Sequence, residues 1–134
     1  MTVPMFPITA LYGGLFALML IGLSARVVFG RAKAHANLDD GGDPTLLVKI
    51  RSFGNYTEYV PLALIAMLLA EASGAPAWLL HAAGLILLAG RLLHAFGLSA
   101  VKAPTFGRVA GMLATWVAVL LGGGASLYLA VAAA

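Results

Sequence analysis

The residues best suited to chemistry are Arg51, Asn55, Glu58 and Tyr59, which lie at the head of a long apolar segment. An α-helix has about 3.6 residues per turn, so the first three fall on one face and align a guanidinium, a carboxamide and a carboxylate. The Tyr59 phenol flanks that face. Pro61 cannot donate to the carbonyl one turn earlier, which predicts a kink directly after the carboxylate. A water-facing helix end would explain Arg51 equally well, but it explains Glu58 poorly.

The composition indicates an integral membrane protein. Of the 134 residues, 62% are hydrophobic and 10% are charged, whereas soluble domains have about 25% charged residues. The chain has no cysteine, so it can form neither a disulfide nor a thiolate metal site, and any thiol chemistry must come from a ligand. The net charge is only +3, and the basic residues lie beside apolar segments. We therefore expect a surrounding lipid bilayer, and neither a nucleic-acid partner nor a bound metal.

Four apolar segments predict an all-α integral membrane protein with a single domain, a four-helix transmembrane bundle over residues 1–134. They span about residues 7–28, 45–72, 77–98 and 106–131, and each is long enough to cross a hydrocarbon core of about 30 Å. Asp43 and Pro44 form an N-cap and a first-turn proline at the start of the second segment. A turn at 73–76 makes the third segment run antiparallel to the second. Glycines inside the segments, including the run 122–124, predict close helix packing, although this run could instead form a hinge.

The short turn allows depths in the membrane to be compared by counting from Gly74. Glu58 lies 16 residues before it and Arg91 lies 17 after it, while Asn55 lies 19 before and His94 lies 20 after. Opposite charges are costly when each is left alone in hydrocarbon, so we predict an ion pair between Glu58 and Arg91. The pair could be purely structural, with each charge holding the other, or it could be part of a functional site. For Arg91 itself we favour the structural role.

The fourth segment begins near Thr105, which can cap it and would place Arg108 in its first turn. A cation is unfavourable at this positive end of the helix dipole, so an anionic partner is expected. The alternative is that Arg108 anchors a lipid-facing surface.

The basic residues that mark one side of the bundle predict that this side is cytoplasmic and that both termini are extracytoplasmic. They are Arg26, Arg31, Lys33, Lys49, Arg51, Lys102 and Arg108.

Three patterns together resemble the MAPEG family, the membrane-associated proteins in eicosanoid and glutathione metabolism, and in particular its small bacterial branch. They are Arg-x-x-x-Asn-x-x-Glu-Tyr-x-Pro at 51–61, Gly-Arg-Leu-Leu-His at 90–94 and the arginine that opens the fourth segment. The resemblance implies a four-helix protomer, a homotrimer and glutathione held between subunits near the cytosolic face. Glutathione-holding roles are implied for Arg51, Asn55, Glu58 and Tyr59, a ligand contact for His94, and stabilisation of the glutathione thiolate for Arg108. Arg26 is a further candidate at the same site.

From this resemblance we expect a membrane-bound, glutathione-dependent enzyme of transferase or peroxidase type in the bacterial inner membrane. Its co-substrate would be glutathione, and its electrophile a lipophilic small molecule. The charges suit this ligand, because Arg51 matches a carboxylate, Glu58 matches the ammonium group, and Arg108 can lower the pKa of the thiol. Two alternatives are a non-catalytic lipid-binding or assembly protein of the same fold and a small four-span multidrug transporter. The predicted arginine partner of Glu58 disfavours the transporter.

Overall fold

Four long helices make up the regular structure of the residues that the computed structural model describes, 5–97 and 105–134. They are α1 (Pro7–Ala34), α2 (Pro44–Ala72), α3 (Ala77–Gly97) and α4 (Phe106–Ala132). Each is long and apolar enough to cross a membrane, and the described residues form no strand. This confirms the predicted all-α transmembrane class. Leu98, the predicted end of the third span, and the basic residue Lys102 lie outside the described residues.

The helix ends follow from local capping and backbone conformation. Asp43 accepts hydrogen bonds from the Thr45 hydroxyl at 2.6 Å and the Thr45 amide at 2.8 Å, which caps α2 as predicted and lowers the pKa of the Asp43 carboxyl. Thr105 accepts a hydrogen bond from the Arg108 amide at 3.3 Å and caps α4. Between α2 and α3, Gly74 has a φ of 83°, which a residue with a Cβ atom rarely adopts. The turn predicted at this glycine is therefore present.

Glycines bring α3 and α4 so close together that their backbones touch. A Cβ atom on Gly111 of α4 would lie 2.6 Å from the Gly90 carbonyl oxygen and from the His94 amide nitrogen of α3. Towards the end of α3, a Cβ atom on Gly97 would lie 2.5 Å from the Arg108 amide nitrogen. No side chain larger than hydrogen fits at these positions without moving a helix. Gly90, one of the glycines predicted to permit packing, thus lies in a close helix contact.

The triple glycine at 122–124 contributes to packing only through its first member. A Cβ atom on Gly122 would lie 3.3 Å from the Met67 amide nitrogen of α2, whereas Cβ atoms on the other two would have no neighbour within 4 Å. Near this contact the Ser126 hydroxyl donates to the Ala66 carbonyl at 2.8 Å. A small residue and a hydrogen bond to backbone thus hold α4 against α2.

One face of α2 is buried against the other helices. Its buried residues recur at helical spacing and are Leu46, Ser52, Tyr56, Val60, Ala63, Met67 and Ala70. Near the middle of this face, the Tyr56 hydroxyl donates to the Phe16 carbonyl of α1 at 2.5 Å, and both side chains are almost completely buried. Because this bond joins a side chain of α2 to the backbone of a neighbouring helix, it restricts the rotation of α2 about its own axis.

Glu71, near the end of α2, caps the start of α1. Its two carboxylate oxygens accept hydrogen bonds from the backbone amides of Ile8 at 3.0 Å and Thr9 at 2.8 Å. Phe6, which occupies the usual capping position of α1, makes no side-chain cap. A negative charge at the positive end of a helix dipole is favourable. Glu71 therefore supplies from α2 the cap that the α1 sequence lacks.

Replacing Glu71 by alanine should destabilise the protein by about 1–2 kcal/mol, because two first-turn amides lose their acceptors. Glu71→Gln keeps one acceptor oxygen and should cost less. Thermal unfolding of the detergent-solubilised protein measures both changes. Ser73→Ala, which alters an exposed side chain at the same end of α2, is the control. An unchanged unfolding temperature in Glu71→Ala would contradict the cap.

Candidate functional site

The polar face of α2 points away from the helix bundle. Arg51 and Glu58 are exposed and Asn55 is partly buried, whereas Tyr56 and Val60 on the opposite face are 2% and 3% exposed. The three polar side chains share one face, as their spacing indicated. Glu58 is the middle residue of α2, with equal stretches of helix on either side (44–57 and 59–72). This carboxylate therefore lies far from both ends of a helix long enough to cross the membrane.

The ion pair predicted between Glu58 and Arg91 is not formed within the chain. Arg91 is 1% exposed, its guanidinium carbon lies 5.8 Å from the centre of the Tyr56 ring, and its Nη2 lies 3.4 Å from His94 Nδ1. Its Nε and Nη1 have no hydrogen-bond partner among the described residues. Glu58 follows Tyr56 by two residues, or about 200° around the helix, so it points outward where Tyr56 points inward. The prediction was wrong because counting from the turn compares depths and ignores rotation.

His94 and Arg108 lie on facing turns of α3 and α4. His94 is 3% exposed, and its backbone packs against Gly111 of α4. Arg108 lies one turn before Gly111 and is exposed. The two residues predicted to contact the ligand thus have different surroundings, since one is buried in the helix contact and the other lies on the surface.

Two open grooves lie on the surface beside Tyr59 and Arg108. The first has a volume of about 330 Å³ and is lined by Arg108, Val109, Met112, Leu113 and Trp116. The second has a volume of about 340 Å³ and is lined by Tyr59, Leu62, Trp116, Val119 and Leu120. Both are apolar apart from the guanidinium and the phenol, and Trp116 is a wall of both. Sequence reasoning did not select Trp116, although its position about two turns after Arg108 was available as a signal.

The polar face of α2 leads into the second of these grooves. Leu62 follows Glu58 by about one turn on the same face and lines this groove with Tyr59. Arg26, by contrast, lies on α1, where its Nη1 is 3.5 Å from a backbone carbonyl of α3. Helices α1 and α4 do not contact each other in the described parts of the chain. One chain therefore brings Tyr59 and Arg108 to adjoining grooves, with Glu58 on the face that leads to them, whereas Arg26 lines neither groove.

The chain is similar to known membrane proteins over most of its length. The profile of the MAPEG family matches residues 9–128. Inner membrane protein YecN of Escherichia coli (strain K12) is 42% identical over 114 residues, which cover 85% of this chain and 86% of that protein. Inner membrane protein YecN of Escherichia coli O6:H1 (strain CFT073) matches with the same identity and coverage. The name of these relatives states a membrane location and no activity.

Because Glu58 and Arg91 do not touch, the effects of replacing them should add. We expect the changes in unfolding free energy of Glu58→Gln and Arg91→Met to sum to that of the double variant within about 0.5 kcal/mol. Unfolding of the four proteins in one detergent measures this cycle. A coupling energy above about 1 kcal/mol would mean that the two charges interact, and it would restore the ion pair.

Proposed function

The chain belongs to the MAPEG family, and from this premise we propose that it is a membrane-bound, glutathione-dependent enzyme of transferase or peroxidase type. It would activate the glutathione thiolate for attack on a lipophilic electrophile. The observation that carries the proposal is the outward polar face of α2, formed by Arg51, Asn55 and Glu58. A polar face in a membrane-spanning helix needs polar partners, and membership of this family suggests glutathione as one of them.

We further propose that the protein is a homotrimer with glutathione between its subunits. Charged side chains inside membrane-spanning helices normally face protein or a water-filled cavity. Glu58 is exposed on its own chain, so another copy of the chain is the simplest cover for it. A site shared between copies would also bring Arg26 of one chain towards the grooves of another. In this proposal the basic loops are cytoplasmic, where glutathione is available, and both termini are extracytoplasmic.

The charges on the α2 face match those of glutathione. The tripeptide carries two carboxylates, one ammonium group and one thiol. Arg51 can bind a carboxylate through two parallel hydrogen bonds, and Glu58 can accept hydrogen bonds from the ammonium group. Asn55 and Tyr59 add uncharged hydrogen-bonding groups beside them. The face therefore offers a partner of suitable charge for each end of the ligand.

Arg108 is the proposed catalytic residue. Its guanidinium is exposed in the first turn of α4, where the helix dipole also favours an anion. A free thiol has a pKa of about 8.5, and a neighbouring cation lowers it. Each unit of that shift corresponds to about 1.4 kcal/mol in favour of the thiolate. The apolar groove that runs from Arg108 to Trp116 could hold the lipophilic electrophile beside the sulfur.

Arg108→Leu and Arg51→Leu should have different kinetic signatures. Arg108→Leu should lower the kcat for conjugation of chlorodinitrobenzene by a factor of about 10 to 1,000 with a smaller effect on glutathione affinity, because thiolate stabilisation grows as the reaction proceeds. Arg51→Leu should raise the KM for glutathione and leave kcat closer to normal, because a carboxylate contact acts equally in ground and transition states. Turnover by the purified protein in detergent measures both.

The control for these variants is Lys33→Leu, which removes an exposed cation from the last turn of α1 and should change neither constant. The ultraviolet absorbance of the thiolate gives a direct second readout. It should form with the parent protein near neutral pH, persist at saturating glutathione in Arg51→Leu and vanish in Arg108→Leu. Undiminished thiolate in Arg108→Leu would exclude the assigned role. A parent protein that binds lipid but never turns over glutathione would favour the non-catalytic alternative.

The proposed assembly predicts a trimer that carries glutathione. Native mass spectrometry across several detergents should give the trimer mass, with added mass when glutathione is present. Glu58→Gln should keep the trimer and weaken glutathione binding about tenfold or more, because the ammonium group loses a charged acceptor. A protein that is monomeric in every detergent would contradict a site shared between copies.

A further inference from the structure

The guanidinium of Arg91 contacts the imidazole of His94. The two residues are separated by one turn of α3, and Arg91 Nη2 lies 3.4 Å from His94 Nδ1. Both side chains are buried, at 1% and 3% exposure. A guanidinium has only donors and keeps its protons, so Nδ1 must be the acceptor. A neutral ring that accepts a hydrogen bond at Nδ1 carries its single proton on Nε2.

A chain of contacts fixes the position of Arg91. Its guanidinium carbon lies 5.8 Å from the centre of the Tyr56 ring, within the range of a cation–π contact. Tyr56 is itself held by the hydrogen bond from its hydroxyl to the Phe16 carbonyl at 2.5 Å. Next to Arg91, Gly90 allows the α4 backbone to approach α3. The arginine, on α3, is thus connected through Tyr56 to α2 and α1.

His94 in turn lies against the helix that carries Arg108. A Cβ atom on Gly111 would lie 2.8 Å from His94 Cβ, and Arg108 precedes Gly111 by one turn. A protonated imidazole at this position would bring a third positive charge near Arg91 and Arg108. It would also be an acid strong enough to protonate a thiolate, whereas the N–H of a neutral imidazole donates a hydrogen bond and keeps its proton.

We infer that Arg91 is a positioning residue, which holds His94 as a neutral imidazole protonated at Nε2 and so makes it a single N–H donor beside the Arg108 site. The nature of the acceptor rests on the proposed function: it would be the thiolate or another electron-rich atom of bound glutathione. The tautomer itself does not depend on glutathione and can be tested without it. Arg91 acts through His94 and does not touch the ligand.

The first test is nitrogen NMR of histidine-labelled protein in detergent, without ligand. The chain has three histidines. His94→Gln identifies the signal of interest, and the exposed His35 gives a second signal for comparison. Near neutral pH, His94 should be entirely in the Nε2-protonated form. Arg91→Leu should give a mixture of tautomers, and Arg91→Lys, which keeps a cation with only donors, should retain the parent form.

An Nδ1-protonated or doubly protonated His94 in the parent protein would overturn the inference, as would an unchanged tautomer in folded Arg91→Leu. If Arg91→Leu does not fold, the parent spectrum and Arg91→Lys still decide the outcome.

The second test uses two isosteres of the ring. In His94→Gln an amide N–H takes the place of Nε2–H, and in His94→Asn it takes the place of Nδ1–H.

Glutathione turnover by His94→Gln should exceed that by His94→Asn by about tenfold or more, because only the glutamine keeps the donor that the parent ring presents. Equal loss in both, or better retention in His94→Asn, would contradict the role assigned to Nε2. A parent protein with the expected tautomer and no glutathione turnover would leave the positioning role of Arg91 intact and would refute the proposed enzyme instead. The two failures are therefore distinguishable.

Discussion

Tyr56 connects three of the four helices, and much of the structure depends on its position. Its hydroxyl donates to the Phe16 carbonyl of α1, and its ring lies under the Arg91 guanidinium of α3. A buried hydroxyl without a partner is unfavourable in an apolar interior, so the bond to the carbonyl sets the rotation of α2. With Tyr56 inward, helical geometry directs Arg51 and Glu58 outward. The inward bond and the outward polar face are thus two consequences of one helix orientation.

The polar groups of this bundle consequently fall into two classes. Several that face inward find partners within the chain: Tyr56 with a backbone carbonyl, Glu71 with two backbone amides and Ser126 with a carbonyl of α2. Arg91 Nε and Nη1 are buried without a hydrogen-bond partner among the described residues. The charged side chains on the outward face of α2, Arg51 and Glu58, are exposed and form no ion pair within the part of the chain that the structure describes. A charge in the middle of a membrane-spanning helix is costly unless it is covered, and the proposal of a partner outside the single chain rests on this asymmetry.

The sequence alone was sufficient for the properties that depend on periodicity. Four apolar runs predicted four helices, and the caps at Asp43 and Thr105 were visible because capping depends on near neighbours. Spacing also predicted that Arg51, Asn55 and Glu58 share a face. It could not predict which way that face points, because rotation is set by contacts between distant residues. The false Glu58–Arg91 ion pair had this cause.

Two other features were beyond sequence reasoning for the same reason. Glu71 caps a helix that begins more than sixty residues earlier, and nothing in its local sequence indicates that role. The glycines behave differently although their types are identical, since Gly122 packs against α2 and the two that follow it have no close neighbour. The sequence indicates that glycines permit close approach, and only the arrangement of helices decides where that approach occurs.

The close approach of α3 and α4 brings the exposed Arg108 near the buried His94. Gly111 of α4 lies against the backbone of His94, and the first turn of α4, which carries Arg108, lies against Gly97 of α3. The same helix presents Trp116 to the grooves that Arg108 and Tyr59 line. Backbone contacts are stiffer than contacts between flexible side chains, since neither partner can change rotamer. The backbone that carries Arg108 therefore packs directly against α3, while its side chain lines the surface groove. The groove beside Arg108 thus has a rigid inner support in the contact between α3 and α4, and an outer surface that is open.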